Sequence, residues 1–453
     1  MPKVSSLSEP YLRLLALALP IMAALFSQSI LNVVDAYMVG QLGAQSLAAV
    51  GVGGYLNFIA VSLLLGLGAA VQALVARAHS GGKRSTWASP MKAGLLLGLL
   101  SAAPITLFFY AIAHPTLLWI SQDTAVTAEA VPYFLMRLAG LFAVAMNFSF
   151  RGYWNGIHQP AIFLRILVFS HVLNVIISYG LIYGHWGLPA LGSTGAGLGT
   201  SLAMCCGMLL NAFFVWKSIK PHGQVAQAPT KPMYKAVSRI AIPTSLQQFS
   251  FALGMTLMFW LLAHFGSEYL AIGHVLISLT LLLILPALGV ALAATSLVGQ
   301  ALGFHNTQEA SQWGWLASRL GAGVLLVCAL PVIIFPQWFL QQFLHQETLV
   351  QQAVLPLRIT ALVIICDGLA MIFSQVLLSI GEAAKVFWAS FTTQWVLFLP
   401  LAYIALMHFN VSFVALWCLY GSQRLLNTLL LMFFWQRQNW AKTYHQECLA
   451  HTP

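Results

Sequence analysis

Long apolar stretches return at short intervals along this chain and leave little length for a water-soluble core. Hydrophobic residues make up 60% of its 453 residues, and charged residues only 7%. A membrane-spanning helix needs about 20 predominantly apolar residues, and short polar or Gly/Pro-containing turns separate twelve such stretches. We therefore predict an all-α polytopic membrane protein with twelve transmembrane helices. The predicted spans are 11–39, 46–78, 89–113, 124–154, 161–184, 192–217, 236–264, 269–303, 312–336, 349–380, 385–408 and 412–436.

Lysine and arginine residues collect on every second connection between these spans. The connections 40–45, 114–122 and 184–191 contain neither residue type, whereas Arg77 and Lys217 are examples from the opposite side. By the positive-inside rule, we expect both termini to be cytoplasmic. The net charge of +10 is then explained by topology and by attraction to anionic lipid headgroups, so no nucleic-acid partner is expected.

One spacing of 223 residues relates the two halves of the chain. Ala18-Leu19-Pro20 recurs as Ala241-Ile242-Pro243, and Gly43 recurs as Gly266. Gly156 and Gly381 are predicted to play similar roles at a slightly larger spacing. Since six spans precede the second copy, the repeats are parallel, with a substrate path expected between them. The predicted domains are an N-terminal six-helix lobe at 1–219, a cytoplasmic linker at 220–233, a C-terminal six-helix lobe at 234–438 and a cytoplasmic tail at 439–453.

Polar residues form helical stripes on two spans of the first half. The first span carries Gln28, Asn32 and Asp35 at i, i+4 and i+7, and the fifth carries His171, Asn174 and Ser178 at i, i+3 and i+7. Because both spans run outward, we expect Asp35, Asn174 and Ser178 at similar depth around one cavity. At the repeat spacing Asp35 corresponds to Met258, so the second half lacks this acid.

Two interpretations of these polar residues remain open. Buried Asn, Gln and Ser side chains often only join neighbouring helices, each hydrogen bond contributing about 0.6 kcal/mol. An ionised carboxylate at membrane depth costs on the order of 3 kcal/mol or more, which favours a functional role for Asp35. A lone helical histidine such as His171 is either a packing residue or a proton relay.

Several motifs resemble those of one transporter family. The segment Val33-Val34-Asp35-Ala36-Tyr37-Met38-Val39-Gly40, followed by Leu42-Gly43 and Leu47-Ala48-Ala49-Val50, is similar to the first-helix signature of multidrug and toxic compound extrusion (MATE) transporters. Arg151-Gly152-Tyr153-Trp154-Asn155-Gly156 is similar to the family's segment before the fifth helix. The likeness covers essentially the whole chain and is closest to the DinF-like branch. It implies a V-shaped, two-lobed secondary transporter, not an enzyme, which we expect to be a monomer in a bacterial inner (plasma) membrane.

The resemblance also implies a function and a set of site residues. Members export bulky cationic or amphipathic drugs in exchange for H⁺ or Na⁺ by alternating access, and H⁺ is the expected coupling ion here. Asp35 matches the proposed protonation site, with Tyr133, Asn174 and Gln28 as its polar partners. Ser178 stands where some relatives carry a second acid. Asn32, His171 and Ser178 are further candidates for the substrate cavity, and no metal or other cofactor is expected.

Asp367 is the other aspartate within a predicted span, and it matches an acid of the NorM-like branch. The acid that those relatives carry on the seventh helix is missing here. Asp367 is therefore either a second coupling or substrate-binding residue or a buried structural one. Two other functions stay open: a Na⁺-coupled drug antiporter that uses Asp367, and a lipid-linked oligosaccharide flippase of a related fold. The sequence contains neither an HExxH motif nor a Walker A motif, so no motif of this kind indicates an enzyme.

The expected mechanism links a proton to the shape of the first helix. Where water is excluded, a carboxylic acid is favoured over a carboxylate, so Asp35 could take up a proton from the outer side. Its hydrogen bonds would then rearrange and bend the first helix near Pro20, whose ring removes one backbone hydrogen bond. Pro20 is thus the predicted structural switch. Drug and proton would favour opposite conformations or compete for one cavity.

Overall fold

The structure is a computed structural model that describes residues 8–80, 84–219, 228–344, 346–409 and 411–437. The predicted tail 439–453 and residues 220–227 of the predicted linker lie outside these ranges. All regular structure in the described residues is helical. The helices are α1 (Ser8–Gly40), α2 (Ala44–Ser62), α3 (Leu65–Ser80), α4 (Arg84–Trp87), α5 (Ser89–Ser121), α6 (Thr124–Ala139), α7 (Leu141–Gly156), α8 (Pro160–Tyr183), α9 (Ser193–Ile219), α10 (Lys231–Ala263), α11 (Ser267–Leu283), α12 (Leu285–Gly303), α13 (Thr307–Ile334), α14 (Pro336–Gln341), α15 (Glu347–Ser379), α16 (Ala383–Phe391), α17 (Leu399–Phe409) and α18 (Phe413–Gln436), with a π-helix at Thr392–Phe398 between α16 and α17.

The predicted class, an all-α polytopic membrane protein, is confirmed. Among the described residues, ten helical segments are long and apolar enough to cross a membrane, and α6 with α7, bent by 45°, would be an eleventh. The last predicted span is α18, which is 24 residues long. Gln423, Arg424 and Asn427 lie inside it and lower its mean hydropathy. Length and composition alone therefore do not mark it as a span.

The helices divide into two compact units. The N-terminal unit comprises the described residues of Ala23–Gln248, and the C-terminal unit comprises those of Met1–Met22 and Phe249–Pro453. Two helices consequently contribute to both: α1 changes unit after Met22 and α10 after Gln248. Each change comes soon after a proline inside the helix, Pro20 in α1 and Pro243 in α10. The domain limits from sequence remain predictions.

The repeat predicted from sequence is visible in the backbone. The glycine that follows the first helix of each half has an unusual conformation, with φ 121° and ψ 170° at Gly43 and φ 102° and ψ 169° at Gly266. Glycine is favoured where φ is positive because it has no Cβ. Both α1 and α10 contain 33 residues, and both second spans are broken into two helices, α2 with α3 and α11 with α12.

The predicted equivalence of Gly156 and Gly381 is wrong at the level of the backbone. Gly156 is the last residue of α7, whereas Gly381 lies in a turn with φ 93°. The residue with the matching conformation is His158, with φ 61°, at the same 223-residue spacing as the other pairs. A glycine is needed at position 156 for another reason, which is helix packing. A Cβ there would lie 2.8 Å from Cβ of Val75, so the glycine lets α7 approach α3 closely.

Helix α6 is held at its outer end, on the side predicted to face away from the cytoplasm. Asp123 caps it by accepting hydrogen bonds from two backbone N–H groups. Six residues later, the Glu129 carboxylate accepts from Ser46 Oγ at 2.6 Å and from Ser193 Oγ at 3.3 Å. These serines lie in the first turns of α2 and α9, where a negative charge is favoured by the helix dipole. Glu129 therefore fixes α6 relative to α2 and α9.

Candidate functional site

Helices α1 and α8 of the N-terminal unit are linked by hydrogen bonds at two levels. At the inner level, His171 Nδ1 lies 2.7 Å from Ser27 Oγ. At the outer level, the Tyr183 hydroxyl donates to the Met38 carbonyl at 2.7 Å. Because these links join residue 27 to 171 and residue 38 to 183, the two helices run parallel and rise together at about 1.5 Å per residue.

The predicted polar residues lie between the two links. By this alignment Asp35 is close in height to Ser178, and Asn174 lies about one turn nearer to the inner level. Val34 and Val175, which adjoin Asp35 and Asn174 in the chain, pack in one apolar cluster. The structure therefore brings the two polar stripes to one level of the N-terminal unit.

Several buried polar atoms at this level have no hydrogen-bond partner among the described residues. They are Asp35 Oδ1, both amide atoms of the Asn174 side chain, and Ser178 Oγ. Asn174 and Ser178 are both 0% exposed. Buried polar groups in native proteins are nearly always paired, and each unpaired group costs about 1–3 kcal/mol. These three side chains therefore have hydrogen-bonding capacity that the described protein groups do not use.

Helix α6 brings a tyrosine and an arginine to the same site. Tyr133 is buried between two glycines: a Cβ on Gly53 would lie 2.8 Å from the tyrosine ring, and one on Gly197 would lie 2.6 Å from its carbonyl oxygen. Arg137 follows one helical turn later. Tyr133 and Arg137 each interact electrostatically with Asp35, although neither forms a hydrogen bond or ion pair with it in the described residues.

The inner part of the site is a chain of hydrogen bonds that ends one turn from Asp35. Gln28 Nε2 donates to Asn32 Oδ1 at 3.2 Å, and Gln28 Oε1 lies 3.3 Å from His171 Nε2. An amide oxygen only accepts, so Nε2 of His171 carries a hydrogen, and a neutral ring then accepts from Ser27 at Nδ1. Gln28 thus bonds Asn32 and His171 rather than Asp35.

Asp367 belongs to the C-terminal unit and has a partner that was not among the predicted site residues. Arg424 Nε on α18 donates to Asp367 Oδ1, and the aspartate is 2% exposed. A cation inside an apolar helix is rare and usually paired, which is the sequence signal that could have identified Arg424. Met258, the repeat equivalent of Asp35, is buried in the apolar core of this unit.

Two further hydrogen bonds hold α15 and α18 together around this ion pair. Trp417 Nε1 donates to Thr360 Oγ1 at 2.8 Å, and Thr428 Oγ1 donates to the Cys366 carbonyl at 2.8 Å. The polar centre of the C-terminal unit therefore lies on α15 and α18, whereas that of the N-terminal unit lies on α1, α6 and α8. Nowhere in the described residues do three or more His, Cys, Asp or Glu side chains form a group that could hold a metal ion.

Comparisons with curated proteins identify similar chains among bacterial drug-resistance proteins. The chain is 26% identical over 326 residues to the probable multidrug resistance protein NorM of Neisseria meningitidis serogroup B, covering 71% of each. It is 26% identical over 396 residues to the multidrug resistance protein MdtK of Yersinia pseudotuberculosis, covering 86% of each.

Solved structures share the fold of the whole chain. A transporter of the MOP superfamily from Pyrococcus furiosus, described as having a binding pocket of reversed polarity that suggests a different function, has a TM-score of 0.87 at 21% identity, covering 96% of this chain and 97% of that one. A MATE family multidrug resistance transporter in an outward-facing conformation has a TM-score of 0.85 at 21% identity, with the same coverage.

A family model described as MatE matches residues 2–180 and 243–404, which is more than half of the chain. The chain therefore belongs to the multidrug and toxic compound extrusion (MATE) family, whose members are secondary transporters and not enzymes.

Proposed function

We propose that this protein exports amphipathic drugs, many of them cationic, from a bacterial cell in exchange for protons, with Asp35 as the proton-binding group. The family and its NorM and MdtK relatives support drug export. The observation that carries the choice of site is the set of unpartnered buried atoms on Asp35, Asn174 and Ser178. We further propose a monomer in the inner membrane, with its termini in the cytoplasm.

The neighbours of Asp35 suit either charge state of the carboxylate. An ionised Asp35 can accept hydrogen bonds from the Asn174 amide or the Ser178 hydroxyl, and a protonated Asp35 can donate to either oxygen. Each state therefore has a different best arrangement of α1 against α8. A proton thereby shifts the balance between two conformations, and a drug that binds one of them better shifts it back.

The pairing of Asp367 favours protons over sodium as the coupling ion. Its carboxylate is already neutralised by Arg424 and is buried, so it offers no free negative charge to Na⁺. Around Asp35, the nearby groups are neutral amide and hydroxyl groups and a cation, Arg137, which opposes binding of a second cation. One carboxylate with neutral partners suffices for a proton, whereas a metal ion prefers several oxygen ligands.

The flippase alternative receives less support from the structure. A lipid-linked oligosaccharide carries phosphate groups, which need several free cations. Within the C-terminal unit, Asp367 balances the charge of Arg424 and leaves only the terminal amino groups of its guanidinium for an anionic group, and Arg358 is an exposed residue of α15. Among the described residues, Arg137 is the one cation that interacts electrostatically with Asp35 in the N-terminal unit.

Everted membrane vesicles test the proposal directly. We expect addition of a cationic dye to discharge a preset pH gradient with the wild-type protein and to leave a Na⁺ gradient intact. Asp35→Asn should abolish the proton response, because an amide cannot take up a proton at ordinary pH. Asp123→Asn is the matched control, since asparagine can also cap α6 and this aspartate lies in a loop. Retained proton-coupled efflux in Asp35→Asn would sink the proposal, and drug-driven Na⁺ movement would reverse the choice of ion.

A further inference from the structure

The guanidinium of Arg424 is only partly used by its ion pair. Nε bonds Asp367, and neither terminal amino group has a hydrogen-bond partner in the part of the chain that the structure describes. The side chain is 16% exposed, so these groups are accessible rather than sealed in the core. A buried structural arginine normally uses its several donors, because each unpaired donor away from water is costly. The free end of Arg424 is therefore available to a ligand.

Aromatic rings flank that free end. The guanidinium carbon lies 5.8 Å from the ring centre of Phe251 on α10 and 5.9 Å from that of Tyr420 on α18. These contacts, together with Asp367, hold the planar group in one orientation. Phe251 stands at the repeat position of Gln28, so an aromatic ring occupies the place of an amide of the first half. Tyr420 and Asp367 also line a small cavity with Thr280 and Trp417.

The charges around Arg424 determine which ligand this place favours. Asp367 is already matched by Arg424, so the pair offers an incoming organic cation no free carboxylate, whereas the groups of the pair that remain unbonded are N–H donors. A carboxylate, in contrast, can accept two parallel hydrogen bonds from the terminal amino groups, the geometry in which arginine binds carboxylates best. Flat apolar walls beside the guanidinium suit an aromatic ring attached to that carboxylate.

We propose that Arg424, held by Asp367 and flanked by Phe251 and Tyr420, binds the carboxylate of an aromatic, zwitterionic substrate in the C-terminal unit. This inference rests on the proposed export function and assigns to Arg424 the recognition of an acidic group on the substrate. Asp35 in the N-terminal unit responds to protons, whereas Arg424 in the C-terminal unit recognises an acidic group on the drug.

Two rhodamine dyes that differ in one group test the inference with the purified full-length protein. One dye has a free benzoate and is zwitterionic, and the other is its methyl ester and is a simple cation. Fluorescence anisotropy gives the Kd of each. We expect the wild type to bind the free acid more tightly than the ester. Equal or tighter binding of the ester would overturn the inference.

Variants at Arg424 provide the second part of this binding test. Arg424→Lys keeps a cation beside Asp367 but lacks the planar pair of terminal amino groups. Its Kd for the acid should rise roughly ten-fold or more, while its Kd for the ester stays unchanged. The matched control is Arg437→Lys, an arginine over the Phe433 ring in the same part of the chain, and it should change neither value. An equal change for both dyes, or none, in Arg424→Lys would contradict the inference.

Two further measurements keep the test decisive. Where Arg424→Lys does not fold, as judged by gel filtration, the double variant Asp367→Asn/Arg424→Gln replaces the ion pair by two amides, and the same selective loss of acid binding is expected. Asp35→Asn should retain the preference for the acid. If the wild type prefers the acid but shows no proton coupling, only the coupling proposal is contradicted. If it shows proton-coupled export but binds acid and ester equally, only the role of Arg424 is contradicted.

Discussion

Two buried asparagines of the N-terminal unit show how function and stability separate at the scale of single residues. Asn174 in α8 is 0% exposed and Asn211 in α9 is 1% exposed. Asn211 is fully engaged: it accepts from Trp154 Nε1 at 3.1 Å and donates to Asn147 and to the Gly207 carbonyl. Asn174 has no partner for either amide atom among the described residues. Two buried asparagines therefore differ in role: the Asn211 side chain stabilises the helix packing, whereas the Asn174 side chain is available to form further hydrogen bonds.

Replacing each asparagine by leucine should therefore have opposite effects on stability. Asn174→Leu removes unpaired polar atoms and should raise the free energy of unfolding by about 1–3 kcal/mol, while export is lost. Asn211→Leu leaves Trp154 without its acceptor and should lower the free energy of unfolding by a similar amount. Thermal unfolding of the purified variants provides the measurement. Equal destabilisation by the two substitutions would show that Asn174, like Asn211, only joins neighbouring helices by hydrogen bonds.

The sequence allowed part of this site to be predicted. Helical spacing was enough to place Asp35, Asn174 and Ser178 at similar depth, within about one and a half turns, because both helices run in the same direction. It was not enough to foresee that Gln28 bonds His171 and Asn32 instead of Asp35, since side-chain pairing depends on the rotation and separation of the helices. Arg424 was missed because its partner Asp367 lies 57 residues away, on a different helix.

At the scale of helices, close packing depends on glycines that oppose the site. A Cβ on Gly199 of α9 would overlap Ser178 Oγ and lie 2.9 Å from both N and Cα of Ser178. Backbone atoms cannot move aside without shifting α8. Gly199→Ala should therefore lower the free energy of unfolding by about 1–3 kcal/mol through overpacking and reduce export, because Ser178 would be displaced.

A matched glycine without neighbours provides the control for this change. Gly51 of α2 has nothing within 4 Å of an added Cβ. Gly51→Ala should leave export intact and stabilise the protein by up to about 1 kcal/mol, since alanine is the better helix former. The unfolding midpoint and the dye efflux of both variants are measured side by side. Unchanged export and stability in Gly199→Ala would argue against the tight contact between α8 and α9.

Proline in α1 allows a second prediction at this scale. Pro20 lies two residues before α1 changes from the C-terminal to the N-terminal unit at Met22. Pro20→Ala restores the missing backbone donor, so the protein should become more stable, by at most about 3 kcal/mol. If α1 must bend here during transport, export should fall while dye binding is retained.

A second proline variant distinguishes the loss of a bend in α1 from a general effect of making any helix stiffer. Pro104 lies inside α5, a helix that stays within the N-terminal unit. Pro104→Ala should raise the unfolding midpoint without reducing export. Undiminished efflux in Pro20→Ala, or an equal loss in both variants, would remove Pro20 from its role as the switch.

The limits of sequence prediction are clearest where helices break. Spans predicted at 46–78, 124–154 and 269–303 are each two helices. The break between α2 and α3 falls at Leu63 and Leu64, and the nearby Ser62 and Gly66 are themselves helical, so neither residue marks it. The π-helix at Thr392–Phe398 is likewise unmarked. It brings Trp395 Nε1 to the Ser250 carbonyl at 3.3 Å, a tertiary contact that local propensity cannot show.

At the scale of the whole molecule, the mechanism depends on which side of the membrane each connection faces. The alternation of basic residues predicts that the connection between α8 and α9 is outside and that between α12 and α13 is inside. Trp186, 68% exposed, lies in the first, and Gln308 is exposed in the first turn of α13 next to the second. Cysteines introduced at these two positions therefore report on orientation.

A membrane-impermeant maleimide should label Trp186→Cys in intact cells and Gln308→Cys only after the cells are broken. The parent protein, with its native cysteines, gives the background. This orientation places Asp35 in the outer half of α1, so that a proton reaches it from outside and leaves inward. The reverse labelling pattern would place Asp35 on the cytoplasmic side of the bilayer. Proton entry at Asp35 could then no longer drive export, and the direction of transport would have to be reversed with it.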